Sequence, residues 1–126
     1  MIHERHYTPA EANELLPAIV ALIDGLRAAR NRLTDADAHA ALSEAAPANG
    51  GGHAGREVGE AFLEVRRALS DLQGLDLVLR DLDRGLIDFP AVIEGREAYL
   101  CWELGEDEIA FWHELEAGFA GRQPLD

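Results

Sequence analysis

Positions 100 to 119 read LCWELGEDEIAFWHELEAGF and hold the only cysteine, both tryptophans, one of five histidines and six carboxylates. No lysine or arginine falls among them. A thiol, an imidazole and several acids so close together are the donor types that bind a transition metal. Cys101 and His113, with carboxylates drawn from Asp88, Glu103, Glu106 and Glu116, would suit zinc or ferrous iron. With one coordination position open, a bound water becomes a nucleophile near neutral pH and a carboxylate its base. HELEA lacks the second histidine of His-Glu-x-x-His, which excludes the zinc-protease helix, and there is no Cys-x-x-Cys. Acidic surroundings raise a thiol's pKa, which argues against catalysis by a bare thiolate. Ser43 and Ser70 are the only serines, and neither sits in a Gly-x-Ser-x-Gly elbow. The same residues also have structural explanations. A lone cysteine packs as a small hydrophobe, and tryptophans suit a core or an interface. Glu106, Asp107 and Glu108 suit a helix start, where backbone amides favour negative charge.

A hairpin must position the first of these groups. LIDFPAVI and REAYLCWEL flank Glu94-Gly95, a two-residue turn signal. That turn sets Ile93 opposite Arg96, Ala91 opposite Ala98, Phe89 opposite Leu100 and Ile87 opposite Trp102. The other face then pairs Val92 with Glu97, Pro90 with Tyr99, Asp88 with Cys101 and Leu86 with Glu103. A slip of one residue would destroy this sorting. Pro90 lacks a donor, which predicts an edge strand. LDLVLRDL, residues 75–82, reads as a further strand. Beyond Gly105, EDEIAFWHELEA has helical spacing, with Glu106, Ile109, His113 and Glu116 along one side. A helix there, folded back at Gly105, would bring His113 to the hairpin.

The N-terminal half reads as helical. Thr8, Pro9 and Glu11 form a capping-box start. Ala12, Leu15, Ile19, Leu22, Leu26, Ala29 and Leu33 follow at alternating spacings of three and four, widened by Leu16 and Ile23. Pro17 predicts a kink, or a short helix ending there. Residues 43–56, SEAAPANGGGHAGR, read as a flexible connection. A second helix is expected from about Glu57 to Leu72, with Val58, Phe62, Val65, Leu69 and Leu72 inward and Gly74 ending it. Glu57, Glu60 and Glu64 read as its solvated side. The two helices should lie antiparallel.

At 126 residues, with 48% hydrophobic residues, the chain suits one globular domain. Its net charge is −13 and every base is arginine. An acidic surface repels phosphate, so neither nucleic acid nor an anionic membrane is an expected partner. No signal peptide or membrane span is evident, and a cytoplasmic protein is expected.

The segments YTPAEANELLP and GLIDFPAVIEGREAYLCWELGEDEIAFWHELEAGFAGRQPL resemble a family of uncharacterised prokaryotic proteins, domain of unknown function 2203. DFPA, LCW-x-x-GE, FWHE and GR-x-PL occur in its order. The resemblance implies a prokaryotic source and a single compact domain, and carries no activity, substrate or cofactor. The expected fold is α+β: a long antiparallel helical hairpin, a small antiparallel sheet of two or three strands and a short C-terminal helix. The leading expectation for function is a protein-interaction or oligomerisation module with a protein partner or a second copy. Its alternative is a zinc or iron protein, extending to a small hydrolase, centred on Cys101 and His113.

Overall fold

The computed structural model describes residues 1–43 and 52–126, with side chains for 1–35 and 55–126. Two helices, α1 (Pro9–Ser43) and α2 (Gly52–Gly74), precede five strands. These are β1 (Val78–Asp81), β2 (Leu86–Ile93), β3 (Arg96–Glu103), β4 (Phe111–Glu114) and β5 (Gln123–Pro124). They form one antiparallel sheet in chain order. The fold is therefore α+β, with more strand than the sequence suggests. No described helix is long and apolar enough to cross a membrane.

The chain divides into two compact units, Met1–Ile23 with Asp71–Asp126, and Asp24–Ser70. In the first, the β2–β3 register is the one the Glu94-Gly95 turn dictates, from Ile93 opposite Arg96 to Leu86 opposite Glu103. Glu94 (φ 52°) and Gly95 (φ 80°) both take the left-handed backbone that a two-residue hairpin turn requires. Ile87, Phe89, Ala91, Leu100 and Trp102 consequently share one buried face and join Ala12, Leu16, Ile19 and Ile23 of α1 in the core. Each large side chain buried there stabilises the fold by roughly 1.5–3 kcal/mol.

Three expectations need correcting. β2 is an inner strand, between β1 and β3. Pro90 is tolerated because β1 ends its pairing at Asp88, so the missing N–H faces no strand. On that side the Pro90 carbonyl accepts from the Tyr7 amide at 2.7 Å. Second, residues 106–116 form no helix and there is no C-terminal helix, only a single 3-10 turn at Phe119–Gly121. Phe111 to Glu114 pair instead with the open edge of β3, which overrides helical periodicity in so short a stretch. Third, α1 continues through Pro17 rather than stopping there. Its capping box is present: the Glu11 amide donates to Thr8 Oγ1 (3.1 Å) and the Thr8 amide to Glu11 Oε1 (3.0 Å).

In the second unit, Leu26 and Ala29 of α1 and Ala61 and Ala68 of α2 are buried. Arg32 links the helices by ion pairs to Glu64 (2.7 Å) and Glu60 (3.8 Å). Phe62 and Leu69, expected inward, are exposed; small alanines occupy the inner face instead. The connection expected at 43–56 falls mostly outside the described residues, and α2 takes in its last five positions.

The N-terminal eight residues are fastened to the sheet by polar contacts. Glu97 accepts from the Ile2 and His3 amides (2.8 and 3.1 Å) and from His6 Nε2 (2.7 Å). Burial alone would push the Glu97 carboxyl up; these hydrogen bonds outweigh it and hold the group at about 2, against 4.5 for a free glutamate. A depressed carboxyl stabilises the fold above its unfolded pKa and loses that contribution as pH falls through the folded value. Denaturant titrations from pH 6 down to pH 2 should therefore show a stability loss beginning near 4.5 that Glu97→Gln flattens.

Gly85 closes the β1–β2 turn at φ 63°, and a Cβ there would lie 2.5 Å from Leu104 Cβ. The Gly85 carbonyl also accepts from the Leu104 amide at 3.0 Å, so the backbone has little room to retreat. Gly85→Ala should cost about 1–3 kcal/mol in a denaturation experiment, through both the forced φ and the clash.

Candidate metal centre

The polar face of the β2–β3 hairpin carries the chemistry. Asp88 and Cys101 are direct cross-strand partners, so their side chains leave the sheet together. β4 supplies the third group: Phe111 pairs with Cys101 and His113 with Tyr99, which sets His113 diagonally beside the cysteine. The donor atoms of Asp88, Cys101 and His113 all lie within 4.8 Å of one another. Each residue is about 1% exposed.

The hydrogen bonds around the cluster are directional. His113 Nδ1 lies 2.7 Å from the Glu114 carbonyl. A carbonyl only accepts, so Nδ1 carries the hydrogen and Nε2 points into the cluster. There Nε2 stands 3.0 Å from Asp88 Oδ2, and that oxygen also accepts from Arg80 Nε at 2.8 Å. With a neutral ring, the Nε2 lone pair would face a carboxylate oxygen. A proton or a metal ion between them removes the conflict. A ligating histidine ordinarily has its other ring nitrogen donating to a carbonyl, as here.

Asp88 Oδ1 is buried and has no hydrogen-bond partner among the described residues. Cys101 Sγ lies within 4.8 Å of the donor atoms of Asp88 and His113. Burial first, and then the Asp88 charge, push the Cys101 thiol up to about 12, with Arg122 pulling the other way. A thiol in that setting stays protonated unless a cation takes the proton's place.

The other candidates are not brought in. Glu103 pairs with Arg84. Glu106 accepts from the Glu103 amide (2.7 Å) and from Arg122 through both carboxylate oxygens (2.7 and 2.9 Å). Glu116 is exposed beyond the end of β4. The hairpin register puts Glu103 on the face of the cluster, and that register holds, but the side chain turns to Arg84. Glu106 and Glu116 were assigned to the cluster through a helix that does not form.

Four neighbours escaped the sequence reading. Arg80 is the extra residue of a β-bulge, since Leu79 pairs with Ile87 and Asp81 with Leu86. Besides holding Asp88, its guanidinium lies 5.1 Å from the centroid of the Tyr99 ring. The Tyr99 ring in turn lies 5.5 Å from that of His113. The Tyr99 hydroxyl meets His3 Nε2 at 2.6 Å, and His3 Nδ1 meets Asp76 Oδ1 at 3.0 Å. Tyr99 was recoverable from the hairpin register, two residues from Cys101 on the same face. His3 and Asp76 lie 96 and 23 positions from Tyr99 and carry no local signal.

No curated protein and no solved structure matches the chain. Residues 5–125 match the family described as Uncharacterized conserved protein (DUF2203), and the chain therefore belongs to that family.

Proposed function

We propose that this chain is a metal-binding protein whose ion is held by Asp88, Cys101 and His113. The observation that carries this reading is the orphaned Asp88 Oδ1, fully buried beside a thiol and an imidazole nitrogen. A buried carboxylate oxygen without a partner costs roughly 1–3 kcal/mol, and a cation at that point removes the penalty. A thiolate and a carboxylate also neutralise a divalent ion, so the loaded centre carries no net charge. The mixed sulfur, nitrogen and oxygen set suits zinc or ferrous iron.

Burial of all three ligands favours a structural centre that ties β4 to the hairpin. A hydrolytic centre keeps an open coordination position within reach of substrate. The reading as an interaction or oligomerisation module rests on the exposure of Phe62, Leu63 and Leu69 on α2. Nothing among the described residues says what would cover that face, so the metal reading stands ahead of it.

Elemental analysis of tag-free protein, purified without chelator, should find about one equivalent of zinc or iron. Cys101→Ser and His113→Ala should each lose it, while Glu103→Gln retains it. Cobalt titration of the wild type should give near-ultraviolet thiolate-to-metal absorption that Cys101→Ser abolishes, and stripping the metal should lower Tm. No metal as purified, and none taken up on titration, would sink the proposal.

A further inference from the structure

On the other side of β3 from Cys101, Trp102 belongs to a different surface, because successive strand residues point to opposite faces. A cavity of about 540 Å³ is lined there by Asn13, Leu16, Pro17, Val20, Trp102, Glu106, Asp107 and Glu108. Its size falls within the range of small-molecule sites. Leu16, Pro17, Val20 and the Trp102 ring give it an apolar floor.

The rim is rich in acceptors. Asp107 and Glu108 are exposed and make no ion pair or hydrogen bond through their carboxylates among the described residues. Glu106 has its charge met by Arg122. Pro17 adds a further acceptor from the backbone. It sits inside α1 without an N–H, so the Asn13 carbonyl cannot receive the i+4 hydrogen bond every other interior position offers. Asn13 is held at the cavity by its own side chain, whose Oδ1 accepts from the Ile109 amide at 2.7 Å. A helix carbonyl without its i+4 donor, two unpaired carboxylates and an indole edge thus surround an apolar floor.

We propose that this cavity binds an ammonium or guanidinium group carried on an apolar stem. The carboxylates and the Asn13 carbonyl take its N–H donors, and the apolar floor, with the edge of the Trp102 indole, takes the stem. The same chemistry is presented by a free organic amine and by a lysine or arginine side chain of a protein.

The Trp102 indole N–H, which donates to the Glu106 carbonyl at 3.0 Å, is a reporter inside the cavity. The Trp112 indole, which lines a separate cavity, is the internal control. Phenethylammonium, a Leu-Lys-Leu peptide with blocked ends, and the anion phenylpropionate would each be titrated into 15N-labelled protein. Either cation should shift Trp102 saturably, with phenylpropionate silent and Trp112 little moved. Tighter binding of the amine assigns the site to a small molecule; tighter binding of the peptide assigns it to a protein side chain. The Asp107→Asn, Glu108→Gln double variant should bind about ten-fold more weakly, and Pro17→Ala, which restores the helix hydrogen bond, about five-fold more weakly. The proposal is overturned by a Trp102 signal that neither cation saturates, by an equal response to phenylpropionate, or by binding unchanged in both variants.

Discussion

The register of the β2–β3 hairpin is the constraint from which the rest follows. Two left-handed residues, Glu94 and Gly95, fix which side chains oppose one another along eight pairs. Because side chains alternate, that one choice sends Ile87, Phe89, Leu100 and Trp102 to the core and Asp88, Tyr99 and Cys101 to the other face. A slip of one position would bury Asp88 among the aliphatic residues of α1 and turn Phe89 into the polar face. The apolar sorting holds the register, and the register then places the donors.

The second face is buried as well, which is unusual for a surface made of a carboxylate, a thiol, a phenol and an imidazole. Such groups are tolerated inside only when partnered. The protein meets most of that demand from other elements, near and distant in sequence. Arg80 reaches Asp88 from a bulge in β1, and His3 reaches Tyr99 from the N-terminus. Arg122 lies over the Phe111 ring, 4.0 Å from its centroid, and donates to both the Cys101 carbonyl and Glu106. Asp88 Oδ1 is left out of this network. Arg122 Nε is likewise without a partner among the described residues, but only the Asp88 oxygen stands beside a thiol and an imidazole nitrogen.

The two faces of β3 thus carry different chemistry a single residue apart. Cys101 belongs to a closed cluster, whereas Trp102 has its ring in the core and its edge at an open cavity. The Glu106 carboxylate ties Arg122 and the Glu103 amide together, while its carbonyl receives the Trp102 indole. The loop after Gly105 is therefore held as firmly as a strand without being one.

The sequence by itself determined whatever depends on near neighbours. The capping box at Thr8 and Glu11, the inward stripe of Ala12, Ile19 and Leu26, the hairpin turn and the pairing of Asp88 with Cys101 all rest on short-range patterns. Long-range competition decided the remainder. Residues 111–114 have helical spacing, yet the unpaired edge of β3 offered hydrogen bonds that an isolated turn of helix cannot match. That exchange carried His113 into the cluster and left Glu106 and Glu116 outside it. On α2 the inner face went to Ala61 and Ala68 in place of the larger Phe62 and Leu69. His3 and Asp76 could join the buried face only after the chain had closed loops of many residues. Arg80, eight positions from Asp88, reaches it through a bulge that breaks strand alternation. Such contacts leave no periodicity to read, because a hydrogen bond between positions 3 and 99 constrains neither one's neighbours.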